Sequence, residues 1–590
     1  MNKPSKSETD VLIVGAGPVG LTLACELRRR GMPCRLIDKY AEFPITSRAL
    51  GLQAQTLEVF DDMGVVDPII AQGATVMGVT FLQGEQVVST IKLRLDRGER
   101  PDQPYRGVVI INQAKVEGVL RDRLTTLGGV VERSHELVGF REEAEGIVAT
   151  VNHTATGETE QVRAAYLVGC DGAHSFVRKA LGLTFAGEAY PEHFVLGDME
   201  VDGNLPHDTA VIWLNEEGVL TALPFPEPKL WRLISVVYPD ADGDVPEASL
   251  ELFQRLLAER AGDTETRLSN PIWLSNFKVS RRMVNHYRKG QAFVAGDAAH
   301  VHSPAGGQGM NTGIQDAYNL GWKLALVLRG KATPALLDTY EEERLPIARK
   351  VLNQTDVNQR LMISNHPVLR FVREHVLLPL IEMPPVMDAL MYRGSELGIH
   401  YRGSSLARSY ETPLTQTTVL PNRESEQVSV VDKLGFHRAP HAGDRAPDAR
   451  CLIADTNAPT TLFDQFRGPH FTLLLFDGMA HTEAGYGRLA SIARRVEELL
   501  GEDVETRIIV SANARPATLD WNGVVLLDPE HEAHKFYGAS AEFLYFVRPD
   551  GYIGFRSQPA REDRLLGYLG DLFLLDSARS PSRSKPSGIG

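Results

Sequence analysis

Residues 293–313 read FVAGDAAHVHSPAGGQGMNTG. The stretch opens as a short apolar strand, breaks at Gly296-Asp297 and enters a loop with glycines at 306, 307 and 309. Beyond the loop, Ile314, Ala317, Leu320, Gly321, Leu324 and Leu328 recur at helical spacing, and Gly330 can cap the helix. Asp297 is thereby placed at a strand end, suited to accepting hydrogen bonds from a ligand's hydroxyls. The loop strips side chains from the backbone just ahead of a helix N-terminus. Bare N–H groups and a positive dipole end then face anything electron-rich.

Two earlier motifs give this loop its meaning. Val11-Leu12-Ile13-Val14 runs into Gly15-Ala16-Gly17-Pro18-Val19-Gly20. The pattern predicts a buried strand, a GxGxxG turn and a helix from Pro18 to about Arg30, stopped by Gly31. A second strand, Cys34 to Ile37, ends in Asp38. Strand, glycine turn, helix, strand and an acid roughly 20 residues on form the full context of a dinucleotide fingerprint. Gly15 permits the tight turn, Gly17 lets a pyrophosphate approach, Gly20 lets helix and strand pack closely, and Asp38 can take both ribose hydroxyls. The fingerprint does not separate NAD from FAD. The other motif, Tyr166-Leu167-Val168-Gly169-Cys170-Asp171-Gly172, is again an apolar strand ending in an acid and a glycine; alone it would be a common Asp-Gly turn.

Together and in this order, GxGxxG, Asp171-Gly172 and Gly296-Asp297 resemble the single-component flavoprotein aromatic hydroxylases, the family of para-hydroxybenzoate hydroxylase. The run from His302 to Leu328 is most similar to the branch holding pentachlorophenol monooxygenase, the polyketide hydroxylases and hydroxyphenylpropionate hydroxylase. The resemblance extends from about Asp10 to about Lys350. It implies FAD as cofactor and NADPH or NADH as transient reductant. It also implies FAD contacts at Gly15, Gly17, Pro18, Gly20, Asp38 and Lys39, at Asp171, at Gly296 and Asp297, and along Pro304, Gly307, Gly309, Met310 and Asn311. Arg48 resembles the family arginine near the flavin, and Gln113 the glutamine that touches the ribityl chain.

The implied chemistry is insertion of one oxygen atom of O2 into a phenolic or polycyclic aromatic substrate through a flavin C4a-hydroperoxide. No catalytic side chain is assigned. Leu223, Pro224, Phe225, Trp231 and His302 are candidate substrate contacts; ordinary sheet core is an equal reading for the first four. An antibiotic-inactivating or epoxidising monooxygenase, and a flavin-binding interaction protein without turnover, stay open as alternatives.

Composition agrees with a globular enzyme. The chain has 590 residues, 43% hydrophobic and 23% charged, with net charge −14 from 62 basic and 76 acidic residues. That length predicts more than one core. No basic patch or arm suggests nucleic acid, no apolar run is long enough to span a bilayer, and MNKPSKSETD lacks a signal-peptide core. Cysteines at 25, 34, 170 and 451 make no CxxC, which argues against a disulfide scaffold or zinc site. His300 and His302 lack the further ligands a metal needs. A cytoplasmic protein is expected, with no nucleic-acid or membrane partner; a homodimer is left open.

The expected architecture is α/β and α+β. Residues 10–75, 106–182 and 281–350 form a Rossmann-like FAD-binding domain, and 76–105 with 183–280 an antiparallel-sheet substrate domain. Residues 351–402 make a helical junction and 403–440 a polar linker. Residues 441–575 alternate strand and helix, and resemble the thioredoxin-like C-terminal domain of phenol and polyketide hydroxylases. Where a redox CxxC would follow the first long strand, the sequence reads Asp477-Gly478-Met479-Ala480, so no disulfide chemistry is possible there; a structural or dimer-supporting role is expected. The Ser/Pro/Gly-rich stretch 576–590 reads as a disordered tail.

Overall fold

The computed structural model describes residues 8–45, 49–92, 102–105, 107–239, 242–303, 307–363, 367–381, 383–418, 428–478 and 482–575. Arg48, Pro304, the dipeptide Met479-Ala480 and the tail 576–590 lie outside the described residues. The chain divides into two units, the first covering 1–99, 105–321 and 340–398, the second 100–104, 322–339 and 399–590.

The core of the first unit is a parallel sheet. Glu8–Val14 lies between Thr159–Gly169 and Cys34–Asp38, both parallel to it, and Ala292–Val294 extends the sheet beyond Thr159–Gly169. The strand Val11–Val14 is buried on both faces, as an all-apolar run beneath crossover helices should be. Helix Pro18–Arg29 buries Leu21, Leu23, Ala24 and Leu27. The three motifs therefore end on adjacent parallel strands, at the same edge of the sheet.

Among the described residues, the second sheet of this unit has eight strands. It is antiparallel, as expected, apart from one parallel pair, Thr209–Asn215 with Gly78–Gln83. Its frame is the long pair Phe185–Asp202 and Arg267–Val284. Strand alternation sorts the apolar residues onto two faces. Trp231, Leu233, Leu220 and Ala222 pack with Phe253 and Leu256 of helix Leu250–Leu256. Leu223 and Phe225 face the other way, against Leu50, Val76 and Ile110.

In the second unit, Phe471–Phe476 is fully buried and pairs parallel with Val504–Val510 and antiparallel with Phe543–Val547. Helix Glu483–Leu500 packs Leu489, Ile492, Ala493 and Val496 against one face. Stretch 403–440 is more than a linker. It contains strand Arg408–Glu411 and helix Val430–Arg438, begun by a Ser429/Asp432 capping box and anchored by the fully buried Phe436. At the end of the central strand, Asp477 accepts hydrogen bonds from the Ser511 N–H (3.0 Å), the Tyr486 hydroxyl (3.0 Å) and His534 Nε2 (3.1 Å). Nδ1 of His534 donates to Asp528 at 2.7 Å. Burial opposes the charged imidazole, but the two carboxylates outweigh it and raise its pKa.

Candidate active site

The first turn of the parallel sheet is built by close backbone approach. A Cβ on Gly15 would lie 2.4 Å from the Cys170 carbonyl oxygen, and one on Gly20 only 2.0 Å from that of Gly15. A Cβ on Gly17 would meet nothing within 4 Å. Gly15 and Gly20 are thus packing glycines, and Gly17 borders open space. Pro18 occupies the first turn of helix Pro18–Arg29, whose N-cap Gly17 provides no side-chain cap. Asp38 Oδ2 accepts from the Ala16 N–H at 2.8 Å, its Oδ1 accepts from the Tyr40 N–H at 2.9 Å, and Arg133 stands 3.4 Å away. The acid is therefore held against the glycine turn by that turn's own backbone. Lys39 is exposed, with its ammonium over the Tyr40 ring.

Asp171 caps the short helix Phe176–Ala180, accepting from the N–H groups of Phe176 (2.7 Å) and Val177 (3.2 Å). Arg178, on that helix, sends one nitrogen to the Ala173 carbonyl and another to that of Ala298. It ties the Asp-Gly turn to the Gly-Asp turn. The sequence reading gave it no role; its position seven residues after a strand-end acid was the only available signal.

Gly296 has φ 60°, its N–H donates to Asp316 at 3.1 Å, and Asp297 beside it is exposed. Asp316 is the hub of a fully buried network. It accepts from His300 Nε2 at 2.9 Å and from Arg344 Nε at 2.7 Å, while Arg344 Nη2 reaches the Thr312 carbonyl at 3.0 Å. Burial would raise the Asp316 pKa, yet Arg344 and His300 hold it below the usual carboxylate value. The network binds the Gly-Asp turn to helices Gly309–Leu328 and Asp338–Ile363.

Asn311 is fully buried and braces the glycine loop. Its Nδ2 donates to the carbonyls of Gly307 (2.7 Å) and Gly51 (2.9 Å), and its Oδ1 accepts from the Gln53 N–H (2.9 Å). Gly307 has φ 63°. Gly309 and Met310 open the helix. His302 Nδ1 lies 2.9 Å from the Ser303 carbonyl; its buried Nε2 has no partner among the described residues and lies 3.7 Å from where a Gly309 Cβ would be. Burial pushes the His302 pKa down to about 4, so the imidazole is neutral with Nε2 as acceptor. Gln113, first in helix Gln113–Thr126, donates to Glu117 at 2.8 Å.

The structure does not bring the substrate candidates together. Leu223 pairs across strands with Arg232, and Pro224 with Trp231, so these two pairs point to opposite faces. Trp231 is core beneath helix Leu250–Leu256, whereas Leu223 and Phe225 lie against Leu50, adjoining the segment that Asn311 braces.

These residues fit FAD. Gly17 borders open space at a helix N-terminus, which suits a pyrophosphate, and the Ala16 N–H holds Asp38 beside that turn, which suits a ribose. The FAD binding domain family model matches residues 8–355. A flavin-dependent monooxygenase of Mycobacteroides abscessus is 35% identical over 93% of this chain and 98% of its own. The 6-methylpretetramide 4-monooxygenase of Streptomyces rimosus is 34% identical over 99% and 97%. Pentachlorophenol 4-monooxygenase of Sphingobium chlorophenolicum is 32% identical over 96% and 97%. Among solved structures, anhydrotetracycline hydroxylase from Streptomyces rimosus superposes with TM-score 0.70 at 29% identity, over 96% of this chain and 99% of that one. Aklavinone-11 hydroxylase, solved with FAD and aklavinone, gives TM-score 0.72 at 25% identity over 96% and 99%. Among the described residues no helix is long and apolar enough to cross a membrane. With its motifs assembled on one sheet edge and relatives collinear over nearly its whole length, the chain belongs to the FAD-dependent aromatic hydroxylases, a family of flavin-dependent monooxygenases.

Proposed function

We propose that the enzyme hydroxylates a phenolic polycycle seated between the Gly307–Asn311 turn and the apolar face carrying Leu223 and Phe225. The observation that carries this reading is the double brace of Asn311 on Gly307 and Gly51, next to the Leu50, Ile110, Leu223 and Phe225 cluster. Such a face suits a broad fused-ring body. The 6-methylpretetramide and anhydrotetracycline enzymes match nearly end to end and support a polycycle; the pentachlorophenol enzyme matches as far, so it is the breadth of the apolar face that favours a fused ring.

When bound, FAD supplies the path by which two electrons from NADPH or NADH activate O2. The protein's own part is physical. Gly17 and the N-terminus of helix Pro18–Arg29 would hold the pyrophosphate, Asp38 the adenosine ribose and Asp297 a ribityl hydroxyl. The N-terminal end of helix Gly309–Leu328 favours negative charge at the ring. His302 Nε2, neutral and accepting, would orient the phenol hydroxyl. Domain roles follow: 10–75, 106–182 and 281–350 bind FAD, 76–105 and 183–280 cover the substrate, and the sheet around Phe471–Phe476 supports a thioredoxin-like domain without a thiol pair.

Anaerobic reduction of the FAD-loaded enzyme tests the substrate class. A fused-ring phenol is expected to accelerate reduction by NADPH or NADH at least about tenfold, or 1.4 kcal/mol in barrier, and monocyclic phenols much less. Acceleration and hydroxylation confined to single-ring phenols would remove the polycycle. Asp297→Ala should weaken FAD binding about tenfold to a hundredfold, the worth of one charge-assisted bond of roughly 1.5–3 kcal/mol; unchanged affinity in a folded variant takes Asp297 off the ligand list.

A further inference from the structure

Behind the glycine turn lies a buried acid that the chemistry above does not use. Glu396 is 2% exposed and sits at φ 64°, a left-handed backbone that residues with a Cβ seldom adopt. Its Oε2 accepts from Gln315 Nε2 at 2.5 Å. Its Oε1 and the Oε1 of Gln315 are both buried and have no hydrogen-bond partner among the described residues. Two side chains already joined by one bond thus each present a bare acceptor in the interior. An ionised glutamate and an amide oxygen offer no donor to either. A single proton on Glu396 supplies one, and lets the acid donate to an acceptor such as the amide oxygen.

The surroundings agree. The groups facing Glu396 are Thr312, Gln315 and Asp316 on helix Gly309–Leu328 and Arg344 on helix Asp338–Ile363. The Arg344 guanidinium is already engaged by Asp316 and the Thr312 carbonyl. Burial pushes the Glu396 carboxyl up to about 8; Arg344, Gln315 and Thr312 work against this and Asp316 with it. Thr312 and Gln315 lie in the first two turns of the helix that Asn311 joins to the glycine turn. The Ser395 carbonyl accepts from the Gln55 N–H at 3.2 Å, two residues beyond Gln53, which Asn311 holds. Glu396 therefore sits at the back of both segments that shape the turn.

We propose that Glu396 is a positioning residue carried as a neutral acid: paired with Gln315, it fixes the start of helix Gly309–Leu328 and the FAD-binding turn Gly307–Asn311 ahead of it, and its ionisation loosens that turn. A bare carboxylate there would have only the Thr312 hydroxyl to draw on for Oε1 and would offset the positive helix end that faces the cofactor.

The proposal rests on the FAD contact assigned to Gly307–Asn311, so its test has two independent arms, each comparing wild type with the uncharged isostere Glu396→Gln. The first uses apoprotein. A carboxyl whose pKa is higher folded than unfolded contributes stability that is full in acid and lost as pH rises from the unfolded value through about 8. The wild-type unfolding midpoint should fall relative to Glu396→Gln across that window. A protonated-carboxyl infrared band present near neutral pH should be missing from the variant. Equal pH dependence of the two midpoints, or no such band in wild type, overturns the neutral acid. The second arm is FAD titration. Wild-type affinity should drop at least about tenfold between roughly pH 7 and pH 9.5, while Glu396→Gln holds its neutral-pH affinity. Parallel curves overturn the positioning role. Unchanged FAD affinity in Asn311→Ala would instead fault the turn assignment and the FAD half of the proposal, with the apoprotein arm still deciding the acid.

Discussion

Arg344→Ala is expected to destabilise the FAD-binding unit by about 3–5 kcal/mol, the usual cost of stripping one partner from a buried ion pair. Asp316 and Arg344 are both 0% exposed at the side chain. The substitution leaves the Asp316 carboxylate with His300 and the Gly296 N–H but without its counter-charge. It also removes the donor to the Thr312 carbonyl. Three segments then lose their common anchor: the Gly-Asp turn, the helix behind the glycine turn and the helix Asp338–Ile363. Arg344→Lys keeps the charge but not the two-pronged fork, so its effect should fall in between. Because a chain of two units need not unfold in one step, the loss is best read locally, as faster amide exchange at Gly296 and Ala299 together with a lower temperature of FAD release. A shift of less than about 1 kcal/mol in local opening would mean that the network is peripheral.

Much of this was legible in the sequence, for reasons that particular residues make clear. Val11–Val14 and, apart from Thr472, Phe471–Phe476 are apolar without alternation, and both are buried strands. The glycine turn was readable because steric demands at Gly15 and Gly20 are local to it. The Asp316 hub was not. Its partners lie 16, 20 and 28 residues away, and acids or arginines within helices read as solvated faces. A clue existed, since Asp316 adjoins Ala317 on the apolar side of its helix. For a different reason the sequence leaves Trp231 open between substrate contact and sheet core; it packs in the core. Strand parity separates it from Leu223, but parity cannot say which face a helix covers. The stretch 403–440 looked like a linker because its helix is short and polar, though Ser429 with Asp432 and the apolar Phe436 carried the signal of a capped, anchored helix. Glu396 is invisible in sequence, because its oddity, a buried acid short of donors, exists only in three dimensions.

Gly20 and Gly17 of the fingerprint should fail in different ways when each receives a methyl group. In Gly20→Ala the new carbon would fall 2.0 Å from the Gly15 oxygen, well inside contact distance and against backbone that cannot step aside. The first turn of helix Pro18–Arg29 must then lift from the strand end, moving the open space beside Gly17 and the Ala16 N–H that orients Asp38. FAD affinity is expected to fall at least about a hundredfold, or 2.7 kcal/mol, with a lower unfolding midpoint even in apoprotein. Gly17→Ala meets nothing in the protein. Its φ of −74° suits alanine, so the apoprotein should be as stable as wild type. If the open space beside Gly17 is where the pyrophosphate approaches, the methyl group collides with ligand alone and FAD binding weakens by about tenfold or more. Paired measurements of apoprotein melting and FAD dissociation separate the cases. Wild-type FAD affinity in Gly17→Ala would place the pyrophosphate elsewhere, and an undisturbed apoprotein in Gly20→Ala would deny the packing role of that glycine.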